Sequence, residues 1–282
     1  MIELKNISKS LDRFQLKDIN FNIPKGYIMG LVGENGSGKT SILHMLMGLY
    51  ALDEGQIAFD GRDFKEYEEE IKDEIGFVFA ESLFVKQLSL MENADVYGEY
   101  YSNYDRNTFI DYCIRFDIDA DAILKKCSRG ETMKFQFAFA LAHSPKYLFL
   151  DEPTSSFDPE FRDEFIHILT DFVKDGEHTV VLVTHLTDVL DRIADYITFV
   201  KDGKIEFSLD IENLQKTYLM LEGEDYKLNP YKDRIIYKEK GNFGSKALIK
   251  HIKYTKYDNG IDVRGPSVEE VMYYLVKGGK KR

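Results

Sequence analysis

The chain has 282 residues, 44% of them hydrophobic and 30% charged, and a formal net charge of -12. This is the composition of a globular protein with room for one large domain and an appendage. The acidic balance argues against a nucleic-acid partner, whose binding starts from a basic patch. MIELKNISKS lacks the apolar core of a secretory signal, and no apolar run approaches the ~20 residues of a membrane span, so any membrane role is expected to come through a partner.

In chain order, IELKNI and then LKDINFNI at 16–23 alternate apolar and polar residues as strands do, and Pro24-Lys25-Gly26 makes a turn. YIMGLVG is a continuous apolar run, the mark of a buried central strand, and leads directly into GENGSGKT. SILHMLMGL has helical spacing and stops at Gly48. From Ser82 to about Ser144 the pattern is helical, through ENADVYGEYY, RNTFIDYCIRF and ETMKFQFAFALAH. Strands return in YLFLD, HTVVLVTH and YITFVKDGKIEF, separated by helical segments around 160–174 and 186–194. Strand–helix alternation with apolar strands predicts an α/β fold, a mainly parallel sheet covered by helices, with the helical stretch inserted between two strands. After about Gln215, YLMLEGEDYKL, DRIIYKEKG and ALIKHIKYTKYDNGIDVRG read as short strands with polar turns, and PSVEEVMYYLVKGG as a short helix opened by Pro266 and Ser267. Residues 216–282 are expected to form a small α+β appendage ending in the basic GGKKR. The cysteines, Cys113 and Cys127, lack CxxC or Cys/His spacing and suggest neither a disulfide framework nor a zinc site.

Gly33-Glu34-Asn35-Gly36-Ser37-Gly38-Lys39-Thr40 fits G-x-x-x-x-G-K-[ST] and sits between a predicted strand and a predicted helix, the context that this motif requires. Glycines let successive backbone N–H groups point at phosphate oxygens, and the helix start near Lys39 adds its positive end. The stretch is therefore a candidate triphosphate cradle, running on to Ser41, with Lys39 bridging the β- and γ-phosphates and the Thr40 hydroxyl on Mg²⁺. YLFLDE ends an apolar strand in two carboxylates that strand alternation points differently: Asp151 for a Mg²⁺-bound water, Glu152 as general base on the attacking water. Ser128 and Glu131 have capping-box spacing ahead of TMKFQFAFALA, a helix start able to present N–H groups and the Ser128 hydroxyl to an anion.

The order of these segments, with Cys127-Ser128-Arg129-Gly130-Glu131, then Pro153-Thr154-Ser155-Ser156-Phe157-Asp158-Pro159, then VLVTH ending at His185, resembles the ATP-binding-cassette (ABC) ATPases over about residues 1–215. The resemblance implies a P-loop cassette with an antiparallel β subdomain and a helical subdomain at about 81–145. It implies ATP hydrolysis with Mg²⁺, and Ser128, Arg129, Gly130 and Glu131 as a signature whose Ser128 and Gly130 touch the γ-phosphate held by a second cassette. Ser156 and Asp158 would then lie at the dimer seam, and His185 would reach the γ-phosphate and Glu152. A detached cassette of this kind serves a separate transmembrane permease subunit, as a peripheral protein on the cytoplasmic face of the membrane. The docking surface is expected around Glu81 to Tyr104, and KGYIMGLVGENGSGKT with the PSVEEVMYYL ending is similar to the bacterial drug, peptide and antibiotic export branch.

The chain departs from that pattern at several positions. The family's glutamine after the strand IGFVF is Ala80 here, followed by Glu81, which is expected to act in its place through a water. Arg129 stands where the signature has glycine and Cys127 where it has leucine; the adenine-stacking aromatic falls at Leu11, with Phe14 close by as either a stacking partner or a core residue. Two other readings compete: a soluble cassette ATPase acting on ribosomes or DNA, disfavoured by the single phosphate loop, the absence of heptad runs and the acidic charge; and a low-activity regulatory cassette in a heterodimer, disfavoured by the retention of Lys39, Asp151, Glu152 and His185.

Overall fold

The computed structural model describes residues 1–282 except 12–13, 185–186, 242–243, 253–256, 258–259 and 280–282. Strands β1 (Ile2–Leu11) and β2 (Phe14–Ile23) form the expected antiparallel pair, and β3 (Ile28–Gly33) is buried along its whole length. Helix α1 (Lys39–Leu46) follows the glycine loop and ends before Gly48, whose φ of 69° turns the chain away. Three elements then appear for which 49–74 carried no expectation: β4 (Glu54–Phe59), β5 (Arg62–Asp63) and α2 (Glu68–Asp73). Strand β6 (Ile75–Val78) precedes the helical insertion, α3 (Leu90–Gly98), α4 (Arg106–Arg115) and α5 (Arg129–Ala142), and β7 (Tyr147–Asp151) closes it. Next come α6 (Pro159–Phe172), β8 (Thr179–Val183), α7 (Thr187–Ile193) and the hairpin of β9 (Tyr196–Lys201) and β10 (Lys204–Asp210).

The central sheet has the order β10-β9-β3-β8-β7-β6 and is parallel apart from the β10 edge; β2-β1-β4-β5 forms a second, antiparallel sheet. Because side chains alternate along a strand, the central sheet feeds two cores. Val32, Leu148, Leu150, Val180 and Leu182 face the helices with Phe135, Phe137 and Phe165, whereas Met29, Leu31, Phe149, Val181 and Val183 pack with α1 and the antiparallel sheet through Leu43, Leu46 and Ile57. The glycine loop, the end of β7 and the end of β8 therefore emerge together at the carboxyl ends of adjacent parallel strands, the usual ligand edge of such a sheet.

The C-terminal stretch begins with α8 (Ile211–Thr217), which had no counterpart in the sequence reading, and continues as β11 (Tyr218–Gly223), β12 (Ile235–Gly241), β13 (Gly244–Lys250), β14 (Asp262–Arg264) and α9 (Val268–Gly279). Asp225–Arg234 is a 3-10 helix, so the expectation of a strand through EDYKL fails there: its apolar Leu228 and Tyr231 are spaced for a helical turn and close one face of the sheet with Leu221 and Ile249. On the other face Met220 and Leu248 join Val268, Val271 and Tyr274 of α9 in the main core. Asp191 on α7 accepts a hydrogen bond from the Val268 N–H at 2.8 Å, fastening α9 by its first turn.

Candidate functional site

A cavity of about 490 Å³ opens over the glycine loop, lined by Gly36, Gly38, Lys39, Thr40 and Ser41 on one side and by Asp151 and Glu152 on the other. The loop is glycine-rich for steric reasons. A Cβ at Gly33 would lie 2.1 Å from the Val200 carbonyl oxygen, and one at Gly38 would meet Leu16 and Phe14 at 2.6 and 2.9 Å. The Gly203 N–H, in the turn after β9, donates to the Ser37 carbonyl at 3.1 Å and braces the loop from behind; the turn residues Asp202-Gly203 were the missed sequence signal for this support.

Lys39 is buried, and its ammonium donates to the Gly33 and Glu34 carbonyls at 2.9 and 3.0 Å, using two of its three donors. Burial lowers its pKa, and the nearby charges of Glu152 and Asp151 oppose that shift. The Ser37 hydroxyl oxygen is buried in the loop with no hydrogen-bond partner among the described residues. A cavity floored by the glycine loop and the first turn of α1, with Lys39 in its wall, fits an anionic ligand such as a phosphate group. Thr40 Oγ1 donates to Asp151, 3.1 Å from Oδ2 and 3.4 Å from Oδ1. A hydroxyl and a carboxylate converging in this way are the hard oxygen donors that Mg²⁺ takes alongside phosphate and water, so the residues present fit the ion.

Glu152 corrects one expectation. Strand alternation pointed Asp151 and Glu152 to different sides, yet both line the cavity. The strand ends at Asp151, and Glu152 adopts the left-handed conformation, φ 50° and ψ 41°, immediately before Pro153. That conformation is strained for a residue with a side chain, and it is held by the Glu152 N–H donating to the Val183 carbonyl at 2.8 Å.

Leu11, Phe14, Asn35 and Ala80 also line the cavity, while Glu34 and Ser37 line a smaller one with Lys201 and Asp202, and Gly33 meets Lys39 through its carbonyl. Phe14 lines the cavity and also packs beside the core of the antiparallel sheet. Glu81 is exposed and does not line the cavity, whereas its neighbour Ala80 does. His185 lies outside the described residues.

Ser128, Arg129, Gly130 and Glu131 do not line this cavity. They start α5 with the expected capping box: the Glu131 N–H donates to Ser128 Oγ at 3.1 Å, and the Ser128 N–H donates to Glu131 Oε2 at 2.7 Å. The carboxylate thus occupies one of the N–H groups expected to be presented, and the Ser128 hydroxyl proton remains able to donate outward. Gly130 is pressed against the next motif, since a Cβ there would lie 2.9 Å from the Ser156 carbonyl oxygen. Asp158 caps α6 by accepting from the Phe161 N–H at 2.8 Å, and Lys134 of α5 approaches it at 3.7 Å.

A family model described as "ABC transporter" matches residues 16–155. The lantibiotic transport ATP-binding protein SrtF of Streptococcus pyogenes is 31% identical over 225 residues, covering 77% of this chain and 96% of that protein. The chain belongs to the ABC family of transporter ATPases. The ABC transporter ATP-binding protein YtrB of Bacillus subtilis is 27% identical, covering 79% of this chain and 76% of YtrB, and the tungstate uptake system ATP-binding protein TupC of Peptoclostridium acidaminophilum is 31% identical over 72% of this chain and 96% of TupC. Among solved structures, the dimeric post-hydrolysis state of the cassette MJ0796 bound to ADP and Pi superposes with a TM-score of 0.67 at 25% identity, covering 75% of this chain and 99% of that one. This ABC chain is accordingly an ATP-binding subunit and an ATP hydrolase with the P-loop cassette fold. None of its helices, among the described residues, is long and apolar enough to cross a membrane.

Proposed function

We propose that ATP is held between two cassettes, each supplying a phosphate loop to one nucleotide and a Ser128 segment to the other, and that hydrolysis releases the pair. One observation carries this reading: the cavity gathers Lys39, Thr40, Asp151 and Glu152 but not Ser128–Glu131, although both sets belong to one ordered group of motifs. The dimeric ADP- and Pi-bound MJ0796 cassette supports it by likeness. In this reading the loop amides from Gly33 to Ser41 bind the phosphates, and Lys39 turns from its own carbonyls to the β- and γ-oxygens. Phe14 flanks the base. Glu152, aimed by its left-handed backbone, accepts the proton of the attacking water, and His185 takes the γ-phosphate-contacting role that the family resemblance assigns it. Ser128, Arg129, Gly130 and Glu131 meet the γ-phosphate of the opposite nucleotide, and Ser156 and Asp158 lie at the seam. Thr40 would hold Mg²⁺ directly and Asp151 through a bound water, and the ion would supply neutralisation of the triphosphate charge.

Residues 1–215 act as the nucleotide-binding cassette and 216–282 as an appendage on it. A groove of about 340 Å³, walled by Phe77, Phe84, Tyr97 and Phe139 and rimmed by Leu83 and Tyr100 at 63% and 80% exposure, suits a helix of a transmembrane permease on a separate chain. The protein then sits peripherally on the cytoplasmic face of the membrane. Export is the direction proposed, from the sequence resemblance to the export branch; the relatives include both the lantibiotic transport protein SrtF and the tungstate uptake protein TupC at 31% identity. Loss of the chain should sensitise its host to an exported peptide antibiotic; a defect confined to accumulation of a nutrient ion would contradict the direction.

The test of the sandwich is Glu152→Gln. Size-exclusion chromatography with ATP should show a stable dimer of a variant that binds ATP without turning it over. A variant that binds ATP and stays monomeric at every ATP concentration would overturn the reading.

A further inference from the structure

We propose that Gln136 is a positioning residue that ties the loop after β6 to the signature helix α5, so that the two move as one body. Gln136 is fully buried in α5, eight residues beyond Ser128 and so roughly 12 Å along the helix axis. Its carboxamide pairs with both main-chain groups of one residue: Nε2 donates to the Phe79 carbonyl at 3.1 Å, and Oε1 accepts from the Phe79 N–H at 3.2 Å. Phe79 is one residue past the end of β6, where ladder pairing with β7 has stopped. The side chain thus continues the ladder with the donor and acceptor of a peptide group, and only one orientation of the amide satisfies both bonds.

The neighbours of Phe79 make this point a junction. Phe77 lines the aromatic groove, and Ala80 lines the nucleotide cavity. The Phe79 ring lies 4.6 Å from Phe77 and 5.8 Å, edge-on, from His44 of α1. Helix α5 in turn begins at the signature and carries Phe139 into the same groove. Ala80 has no polar side chain to extend into the cavity, and Glu81 is exposed. How the loop meets the nucleotide is therefore set by where its backbone is held, and the group holding it belongs to the helix that serves the other nucleotide. That consequence rests on the two-cassette reading; the clamp itself does not.

Gln136→Leu removes both bonds at similar volume. Gln136→Glu keeps the shape and the acceptor for the Phe79 N–H but, when ionised, cannot donate to the Phe79 carbonyl. The Leu variant should lose about tenfold in kcat with KM for ATP within about twofold of the parent, and its Phe79 amide should exchange about tenfold faster. The Glu variant should regain kcat relative to the parent as pH falls and its carboxyl is protonated. Parent-level kcat per folded molecule with unchanged Phe79 exchange in either variant would overturn the proposal, as would a lowered melting temperature with no kcat loss. Should the substitutions prevent folding, the parent alone decides: the amides of Phe79 and of residues 129–133 should gain protection together on adding ATP, and protection of one without the other would contradict the coupling. Failure of the two-cassette reading would appear in the Glu152→Gln dimer assay and would leave the Phe79 exchange of the variants unaffected.

Discussion

Two glycines of the phosphate loop make a paired prediction, because both have positive φ and only one lacks space. Gly36 has φ 75° and a Cβ built on it meets nothing within 4 Å. Gly33 has φ 155°, and its Cβ would lie 2.1 Å from the Val200 carbonyl oxygen and 2.7 Å from Ser37 Oγ. Val200 is the register partner of Gly33 on the neighbouring parallel strand, so relief requires shifting one central strand against another. Gly36→Ala should cost only the conformational term, about 1 kcal/mol, or about 2–4 °C in melting temperature for a chain of this size. Gly33→Ala adds overpacking against backbone and should cost about 3–5 kcal/mol, on the order of 10 °C. Thermal unfolding of the nucleotide-free proteins, followed by circular dichroism, measures the difference. Equal shifts for the two variants would refute the claim that close approach of β9, rather than φ alone, demands glycine at Gly33.

Two further outcomes follow from the ionic groups. Burial would raise the pKa of Asp60, but hydrogen bonds from Lys146 at 2.5 Å, from the chain's N-terminal ammonium and from Tyr147 Oη at 2.9 Å outweigh it and hold the carboxyl well below its ordinary range. Its stabilisation is thus fully present above the unfolded value of about 4 and is lost as pH falls from there through the folded value, so Asp60→Asn should flatten the acid limb of the stability profile; an unchanged slope below pH 4 would contradict this. Asp151→Asn should raise the Mg²⁺ concentration for half-maximal ATPase by more than about tenfold, since the carboxylate facing Thr40 loses its charge; an unchanged Mg²⁺ dependence would remove Asp151 from the metal site.

Much of the fold was legible because the central strands are continuous apolar runs and the loops between them carry glycine or capping residues. YIMGLVG, YLFLD and TVVLV could hardly be anything but buried strands. The elements that went unread have mixed surfaces. In β4, Glu54, Gly55 and Gln56 are exposed and only Ile57, Ala58 and Phe59 are buried, so half the strand has no apolar signature. In Asp225–Arg234 a helical turn follows directly from a strand, and the sequence shows no boundary between them. At the site, motif spacing indicated the groups that would converge, but the placement of Glu152 depended on a left-handed residue that strand alternation cannot foresee. Gln136 escaped notice for a related reason. A glutamine inside a helix reads as an outward polar position, and its burial is possible only because a chain segment 57 residues away offers it one N–H and one carbonyl.

The central claim is that each nucleotide is completed by two chains, and mixing two inactive variants tests it most directly. Lys39→Ala disables the phosphate loop and Ser128→Arg the signature; each alone should be inactive. Combined in equal amounts, half the dimers are mixed and each mixed dimer has one intact composite site of two, so about a quarter of the parent ATPase rate should return. If the mixture never exceeds the sum of its separate components while the Glu152→Gln protein forms its ATP-bound dimer, the site is completed within one chain and the account is contradicted.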